Sequence, residues 1–167
     1  MAGEWQDFAD QAAVRWAELG VDVQESFAAG IRLERLARKH EAMLNDALIP
    51  FRRLGIRSME DFRLLALLAR QHPETTSSTA ASKVLGLSKA ATSSRLDRFV
   101  KEGLAERAES QYDKRTIEIH ASDDGMEVAL AAVTAIAAVH SRLFQTLDPV
   151  DLKTFDTNLA ELMMRFV

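Results

Sequence analysis

The sequence predicts a mainly α-helical protein with one small β-hairpin. Apolar residues recur at spacings of three and four over most of the chain, which is the period of an amphipathic helix. Between residues 104 and 120 this period gives way to two short alternating runs on either side of a polar tip, and such alternation indicates two paired strands. Serine, glycine and proline residues stand where the helices are expected to begin and end.

Composition and charge exclude several classes of protein. The chain has 167 residues, of which 47% are hydrophobic and 28% charged, as in an ordinary globular protein. It contains no cysteine, so disulfides and thiolate metal sites are excluded. The first ten residues carry Glu4, Asp7 and Asp10 where a signal peptide needs basic residues, and no apolar run approaches the roughly 20 residues of a membrane span. We therefore expect a cytoplasmic protein without a membrane partner.

Residues 1–57 are predicted to form two N-terminal helices. In the first, residues 3–19, Trp16 belongs to an apolar stripe that ends at Gly20. The second covers residues 22–48 and ends before Pro50, because proline disrupts a helix interior.

Residues 58–121 contain the most informative pattern. Ser58 is a good N-cap for a helix over residues 59–71 that is apolar around most of its circumference and is therefore expected to be buried. A short helix over residues 78–85 then turns at Gly86 into a second helix that Ser88 opens. That helix stops at Gly103, and strands over 104–109 and 115–120 follow. This is the outline of a winged helix-turn-helix, which places one helix in a groove of DNA.

Residues 122–167 are predicted to form two C-terminal helices. Ser122 is the expected N-cap of the first, which runs to about Thr146, while Asp148 and Pro149 open the second, which runs to about Phe166. The central unit is too small to cover the apolar faces of both terminal regions, so we expect these regions to interleave in a homodimer. A helix bundle within one chain is the alternative.

The second helix of the helix-turn-helix has the residues that a DNA-reading helix needs. Its N-terminal half is small, polar or basic, whereas Leu96 and Phe99 form an inner side. Short polar and basic side chains let the backbone approach base edges and can bind bases or phosphates. The predicted DNA contacts in this helix are Ser88, Lys89, Ala91, Thr92, Ser93 and Arg95. An ordinary surface helix would have a similar composition, and the hairpin decides in favour of DNA.

The tip of the hairpin supplies a second predicted contact. Lys114 and Arg115 stand at the tip, and a narrow minor groove attracts such side chains. Phosphates repel Asp113, so we interpret it as an internal partner that orients an arginine at the base of the wing. Between Lys83 and Arg115 there are eight basic and five acidic residues, a small excess in a chain with a net charge of −4.

Three short motifs resemble the MarR family of bacterial transcriptional regulators. They are Thr-Ser-Ser-Arg-Leu-Asp-Arg-Phe at 92–99, Gly-Leu-Ala-Glu-Arg at 103–107 and Asp-Lys-Arg at 113–115. The resemblance covers nearly the whole chain and implies a homodimer that binds a pseudo-palindromic operator as double-stranded DNA. It implies that Arg95 and Arg115 touch DNA, whereas Arg98 and Asp113 match positions used for internal ion pairs.

The resemblance also implies a small anionic aromatic effector. Trp16 and Asp22 resemble a tryptophan and acid pair of a urate-responsive branch, in which Arg95 matches an arginine, while Arg63 stands where that branch has an acidic residue. The candidate effector-binding residues are Trp16, Asp22, Arg63 and Arg95.

The sequence holds no catalytic motif, no cofactor motif and no pair of histidines at metal-binding spacing. We therefore predict a DNA-binding regulator, a repressor released by its effector, and not an enzyme. The alternative from another class is a winged-helix module that binds proteins and no specific DNA.

Overall fold

The structure, a computed structural model, describes residues 8–23, 26–109 and 117–166. It divides into two compact units, Met1–Met43 and Leu44–Val167.

The first unit contains helix α1 (Phe8–Glu18) and most of helix α2 (Ser26–Ala47). An ion pair of 2.7 Å joins Asp10 of α1 to Arg32 of α2, and the guanidinium of Arg35 lies 5.3 Å from the ring centroid of Phe8. Such contacts attach two helices through their surfaces. Several large apolar side chains of this unit are still exposed: Phe8, Val14, Trp16, Leu19, Leu33 and Leu36.

The second unit contains a short 3-10 helix, five α-helices and one hairpin in its described part. The elements in chain order are the 3-10 helix (Ile49–Leu54), α3 (Met59–Gln71), α4 (Ser78–Leu85), α5 (Lys89–Lys101), β1 (Ala105–Glu109), β2 (Ile117–Ala121), α6 (Asp123–Phe144) and α7 (Pro149–Met164). The predicted fold class, mainly α with a small β-wing, is confirmed. The connection expected after Pro50 is a 3-10 helix, in which Pro50 occupies the first turn, where its missing N–H costs no hydrogen bond.

The hydrophobic core of this unit lies between α3, α5 and α6. Leu64, Leu65 and Leu68 of α3 are almost completely buried, as are Leu96 and Phe99 of α5. The all-round apolar sequence of α3 thus has the central position that it predicts. The other core residues come from α3 itself, α4, the connections, the hairpin and α6: Leu48, Ile56, Leu67, Ala81, Leu104, Ala105, Ile119, Ala121, Ala129, Ala132 and Ile136.

Side-chain oxygens cap the N-termini of five helices in this unit. Ser58, Ser77, Ser88, Ser122 and Asp148 each accept hydrogen bonds from backbone N–H groups in the first turn of α3, α4, α5, α6 and α7. These groups have no partner within the helix, so each cap fixes the residue at which its helix begins. The caps predicted at Ser58, Ser88, Ser122 and Asp148 are confirmed.

The hairpin is antiparallel and pairs Ala105 with Ala121 and Glu109 with Ile117. Its second strand is described over Ile117–Ala121 and ends one residue later than predicted. The loop before α4 adds a short third pairing, because Thr76 and Ile119 exchange two backbone hydrogen bonds of 2.9 Å. The hairpin is therefore joined to the helix-turn-helix on two sides, through the loop before α4 and through the end of α5.

Helix α6 is, by length and composition, apolar enough to cross a membrane, which was not expected from the sequence. Its buried residues are Gly125, Ala129, Ala132 and Ile136, and it packs on α3. Gly125, Ala129 and Ala132 are small and let the two helices approach closely, so this face of α6 belongs to the core of the unit. A side chain at Gly125 would lie 1.9 Å from the carbonyl oxygen of Leu104, which shows how tightly α6 meets the start of β1.

Candidate nucleic-acid interface

Helix α5 is fixed in the core by one side and presents the other to solvent. Thr92, Leu96 and Phe99 are buried, and their spacing of three and four places them on one stripe. The Thr92 hydroxyl donates a 3.0 Å hydrogen bond to the Ser88 carbonyl oxygen, so its polar group is satisfied within the helix. Gly103 ends this segment with a φ of 77°, a conformation that glycine adopts without strain.

The opposite face of α5 forms an outward ridge of Ala90, Ser94, Asp97 and Lys101, all exposed. Ala90 and Ser94 are small, so a groove of DNA can approach the helix backbone along the N-terminal half of this ridge. None of the four was among the predicted contacts. The helical period of Leu96 and Phe99, extended around the helix, identifies the ridge from the sequence alone.

The predicted contacts in α5 do not all lie on this face. Ser88 and Lys89 are exposed at the N-terminus, where backbone N–H groups attract phosphate, while Ala91 and Ser93 are half-buried on the two flanks. The structure corrects the prediction for Thr92, which is 0% exposed and cannot present its side chain to DNA. The small polar character of threonine suggested a contact, but its position in the inner stripe decides its burial.

Arg95 and Arg98 share a buried carboxylate at the start of α3. Asp61 is 3% exposed, and its Oδ1 lies 3.2 Å from Arg95 Nε and 2.5 Å from Arg98 Nη2. Its other oxygen accepts a 2.9 Å hydrogen bond from the Arg57 backbone N–H. The sequence showed Asp61 only as a residue in the first turn of α3, because Arg95 and Arg98 lie more than thirty positions away.

Arg98 has further partners that attach α5 to the chain before α3. Its Nη1 donates to the Gly55 carbonyl oxygen at 2.8 Å and lies 3.2 Å from Glu102, which also pairs with Arg57. Gly55 has a φ of 100°, and a side chain there would collide with Leu104. Arg98 therefore has internal ion pairs, with Asp61 and Glu102 as its partners among the described residues.

Glu60 is a second carboxylate near Arg95. Its Oε2 lies 3.9 Å from Arg95 Nη2. The pKa of Glu60 is held below its ordinary value, first by a hydrogen bond from its own backbone N–H, then by the Ser58 hydroxyl and by the charges of Arg95 and Arg63. Glu60 therefore remains an anion beside α5 at neutral pH.

The base of the hairpin contacts α5 directly. Arg107 of β1 forms an ion pair of 2.6 Å with Asp97 on the outward ridge. Both side chains are well exposed, so this pair orients the two elements and adds little stability. The predicted wing residues Lys114 and Arg115 and the predicted internal partner Asp113 lie outside the described residues.

The predicted effector-binding residues are in different parts of the chain. Trp16 of α1 and Asp22 are exposed in the first unit. In the second unit, Arg63 and Arg70 line an open cavity of about 600 Å³ between α3, α4 and α6, whose other lining residues are apolar or alanine. Arg95 is not among the residues that line this cavity. In the described part of the chain, no three histidine or acidic side chains are grouped to hold a metal ion.

The sequence and the fold of this chain are both similar to those of MarR family proteins. Residues 54–116 match a model of the MarR family. AbsC, a MarR family transcriptional regulator from Streptomyces coelicolor, has a similar structure with a TM-score of 0.71 and 20% sequence identity, covering 86% of this chain and 96% of that protein. No significantly similar sequence was found among the curated proteins.

Two further solved structures are similar and contain ligands. A variant of MarR from E. coli complexed with operator DNA has a TM-score of 0.64 and 22% identity, covering 80% of this chain and 91% of that one. CouR from Rhodococcus jostii RHA1, bound to p-coumaroyl-CoA, has a TM-score of 0.64 and 21% identity, covering 80% and 90%. The fold and the family match over residues 54–116 agree with the sequence motifs, and they support the assignment of the winged helix-turn-helix to the MarR family.

Proposed function

We propose that the chain is a transcriptional regulator that binds operator DNA through α5. The observation that supports this most strongly is the outward ridge, a solvent-facing row with small residues in its N-terminal half, on the second helix of a helix-turn-helix. Ser88 and Lys89 add a capped, basic N-terminus to the same surface. MarR family members are transcription regulators and not enzymes, which agrees with this role.

In this proposal residues 58–121 contact DNA, while residues 1–57 and 122–167 form a homodimer. Two copies of α5 then enter successive major grooves about 34 Å apart on a pseudo-palindromic operator. Exposed apolar side chains on the C-terminal helices and next to them support the dimer, because a single chain leaves them in water: Leu130, Val133, Leu147, Val150, Leu162, Met163, Met164 and Phe166. Light scattering should give twice the mass of one chain, and a monomer at micromolar concentration would contradict the dimer.

DNA binding is tested with fragments from upstream of the chain's own gene. Lys89→Ala and Arg115→Ala should each reduce the slope of log affinity against log salt, by about 0.9 for every phosphate that the variant no longer neutralises. Lys153→Ala, on the exposed surface of α7, should leave the slope unchanged and serves as the control. An unchanged slope for Arg115→Ala would remove the proposed contact of the wing with the minor groove.

The cavity between α3, α4 and α6 supports an effector. Its volume of about 600 Å³ lies in the usual range of ligand pockets, and its apolar lining with Arg63 and Arg70 suits an apolar molecule that carries a carboxylate. We propose that such a molecule, for example an aromatic acid, binds here and releases the repressor from DNA in the cytoplasm. Aromatic acids should raise the melting temperature of the wild type, and Arg63→Ala should weaken this effect. An equal effect in both proteins would place the ligand elsewhere.

A winged-helix module that binds another protein is the competing function. The arginines Arg95, Arg98 and Arg107 are all paired with carboxylates of this chain, which leaves fewer free cations for DNA. A gel shift that shows no preference for any upstream fragment over random DNA, at low and moderate salt, would favour this alternative.

A further inference from the structure

Arg95 is not free to contact DNA in the structure. Each of its three side-chain nitrogens lies near an acceptor of this protein: Nε at 3.2 Å from Asp61, Nη1 at 3.4 Å from the Ala91 carbonyl oxygen and Nη2 at 3.9 Å from Glu60. Only 26% of its side chain is exposed. Acceptors on DNA therefore compete with these acceptors for the guanidinium of Arg95.

The two carboxylates at the start of α3 differ in what they do. Asp61 is buried and also binds Arg98 and the Arg57 backbone N–H, so it is part of the packing between α3 and α5. The side chain of Glu60 is 39% exposed, and its ion pair is with Arg95. Its position on the flank of α5 places a negative charge beside the surface that is proposed to meet phosphates.

We propose that Glu60 and Asp61 hold Arg95 in the free protein and compete with DNA for it. The start of α3 then sets the affinity of α5 for DNA, and Glu60 is the adjustable member of the pair. This inference rests on the proposed function, because it concerns the same DNA surface. Asp61 stays in place because it is buried and paired with Arg98. DNA binding therefore changes the position of the Arg95 side chain and not that of Asp61.

Charge and geometry explain why the carboxylates and DNA bind the Arg95 guanidinium with similar strength. A DNA phosphate or a guanine edge offers Arg95 acceptors similar to those that it already has. An exposed ion pair such as that of Glu60 contributes little in water, so its loss is easily replaced. Arg95 therefore exchanges one set of acceptors for another, and removal of one carboxylate shifts the balance towards DNA.

Glu60→Gln is the direct test, because glutamine keeps the size of the side chain and removes only its charge. DNA affinity should increase about two- to fivefold for each α5 that is engaged, as expected for the loss of one exposed ion pair. Arg95→Ala provides the matched background. In the Arg95→Ala protein, Glu60→Gln should not increase DNA affinity, because the guanidinium for which Glu60 and DNA compete is absent. A gain of equal size in both backgrounds would show simple relief of repulsion and overturn the proposal.

A nuclear magnetic resonance experiment tests the same point without relying on affinity. The Nε–H resonance that disappears in Arg95→Ala identifies Arg95. In the free wild type this proton should exchange slowly with water because Nε lies 3.2 Å from the buried carboxylate of Asp61, and addition of DNA should change its shift and exchange rate. A resonance that DNA leaves unchanged, or that exchanges fast in the free protein, would overturn the competition. A wild type that binds no DNA would overturn the proposed function as well, whereas normal DNA binding with no effect of Glu60→Gln overturns this inference alone.

Discussion

The structure makes Asp61→Asn the most informative test of how α5 is held. Asparagine has nearly the same shape and retains one oxygen that can accept the Arg57 backbone N–H. It removes the charge that Arg98 and Arg95 share at 2.5 and 3.2 Å. Because Asp61 is buried, water does not replace its charge beside the two arginines. Part of the penalty for an unpaired buried cation therefore applies.

The magnitude follows from the partners that remain. Breaking a buried ion pair from one side costs about 3–5 kcal/mol when the other charge is left alone. In the variant, Arg98 still contacts Gly55 and Glu102, and Arg95 still lies near Glu60. Because these partners remain, we expect a smaller decrease in the free energy of unfolding, about 2–4 kcal/mol.

Urea unfolding at one fixed protein concentration measures this change, since the stability of a dimer depends on concentration. Asp97→Asn is the matched control. Asp97 makes an ion pair of 2.6 Å with Arg107, but both side chains are exposed, so its loss should cost roughly 0–1 kcal/mol. If the two substitutions lower the free energy of unfolding by equally small amounts, burial does not make Asp61 the residue that holds α5 on α3.

Three further predictions concern helix ends and charge. Gly125→Ala places a carbon 1.9 Å from the Leu104 carbonyl oxygen, so α6 must shift. Calorimetry should show destabilisation of about 1–3 kcal/mol or more. A melting temperature equal to that of the wild type would contradict this contact. Ser88→Ala removes the cap of α5 and should cost about 1 kcal/mol in the same assay, whereas Ser94→Ala on the outward ridge should cost much less. Since folding lowers the pKa of Glu60 from 4.5, its contribution to stability is present above pH 4.5 and is lost as the pH falls through the lower folded value. Glu60→Gln should therefore weaken the dependence of stability on pH below 4.5, and parallel curves for the two proteins would count against the shift.

Much of the fold follows from local sequence signals. The caps at Ser58, Ser88, Ser122 and Asp148 and the stops near Pro50 and Gly103 mark helix ends, because these residues act on their own first or last turn. The inner stripe of Leu96 and Phe99 is likewise local, since the period of the helix alone defines it. These signals need no knowledge of the rest of the chain.

The contacts that organise the candidate site are not local. The link from Asp61 to Arg95 and Arg98 joins residues on different helices, and the pairing of Thr76 with Ile119 crosses more than forty positions. Residue type also misleads where position decides, as with Thr92, whose hydroxyl is satisfied inside the helix. Sequence periodicity predicts which face of a helix is buried, but it does not say which element covers that face or which charged group lies there.

The affinity of a Ser94→Glu variant for upstream DNA tests the central claim, that α5 reads DNA through its outward ridge. Ser94 is exposed, so the substitution leaves the core intact while it places a carboxylate where the groove is proposed to lie. Gln145→Glu adds the same charge at the exposed end of α6 and serves as the control. We predict that fluorescence anisotropy shows at least about tenfold weaker binding for Ser94→Glu, about 1.4 kcal/mol, and unchanged binding for Gln145→Glu. Equal binding by all three proteins would contradict DNA reading through the outward ridge of α5.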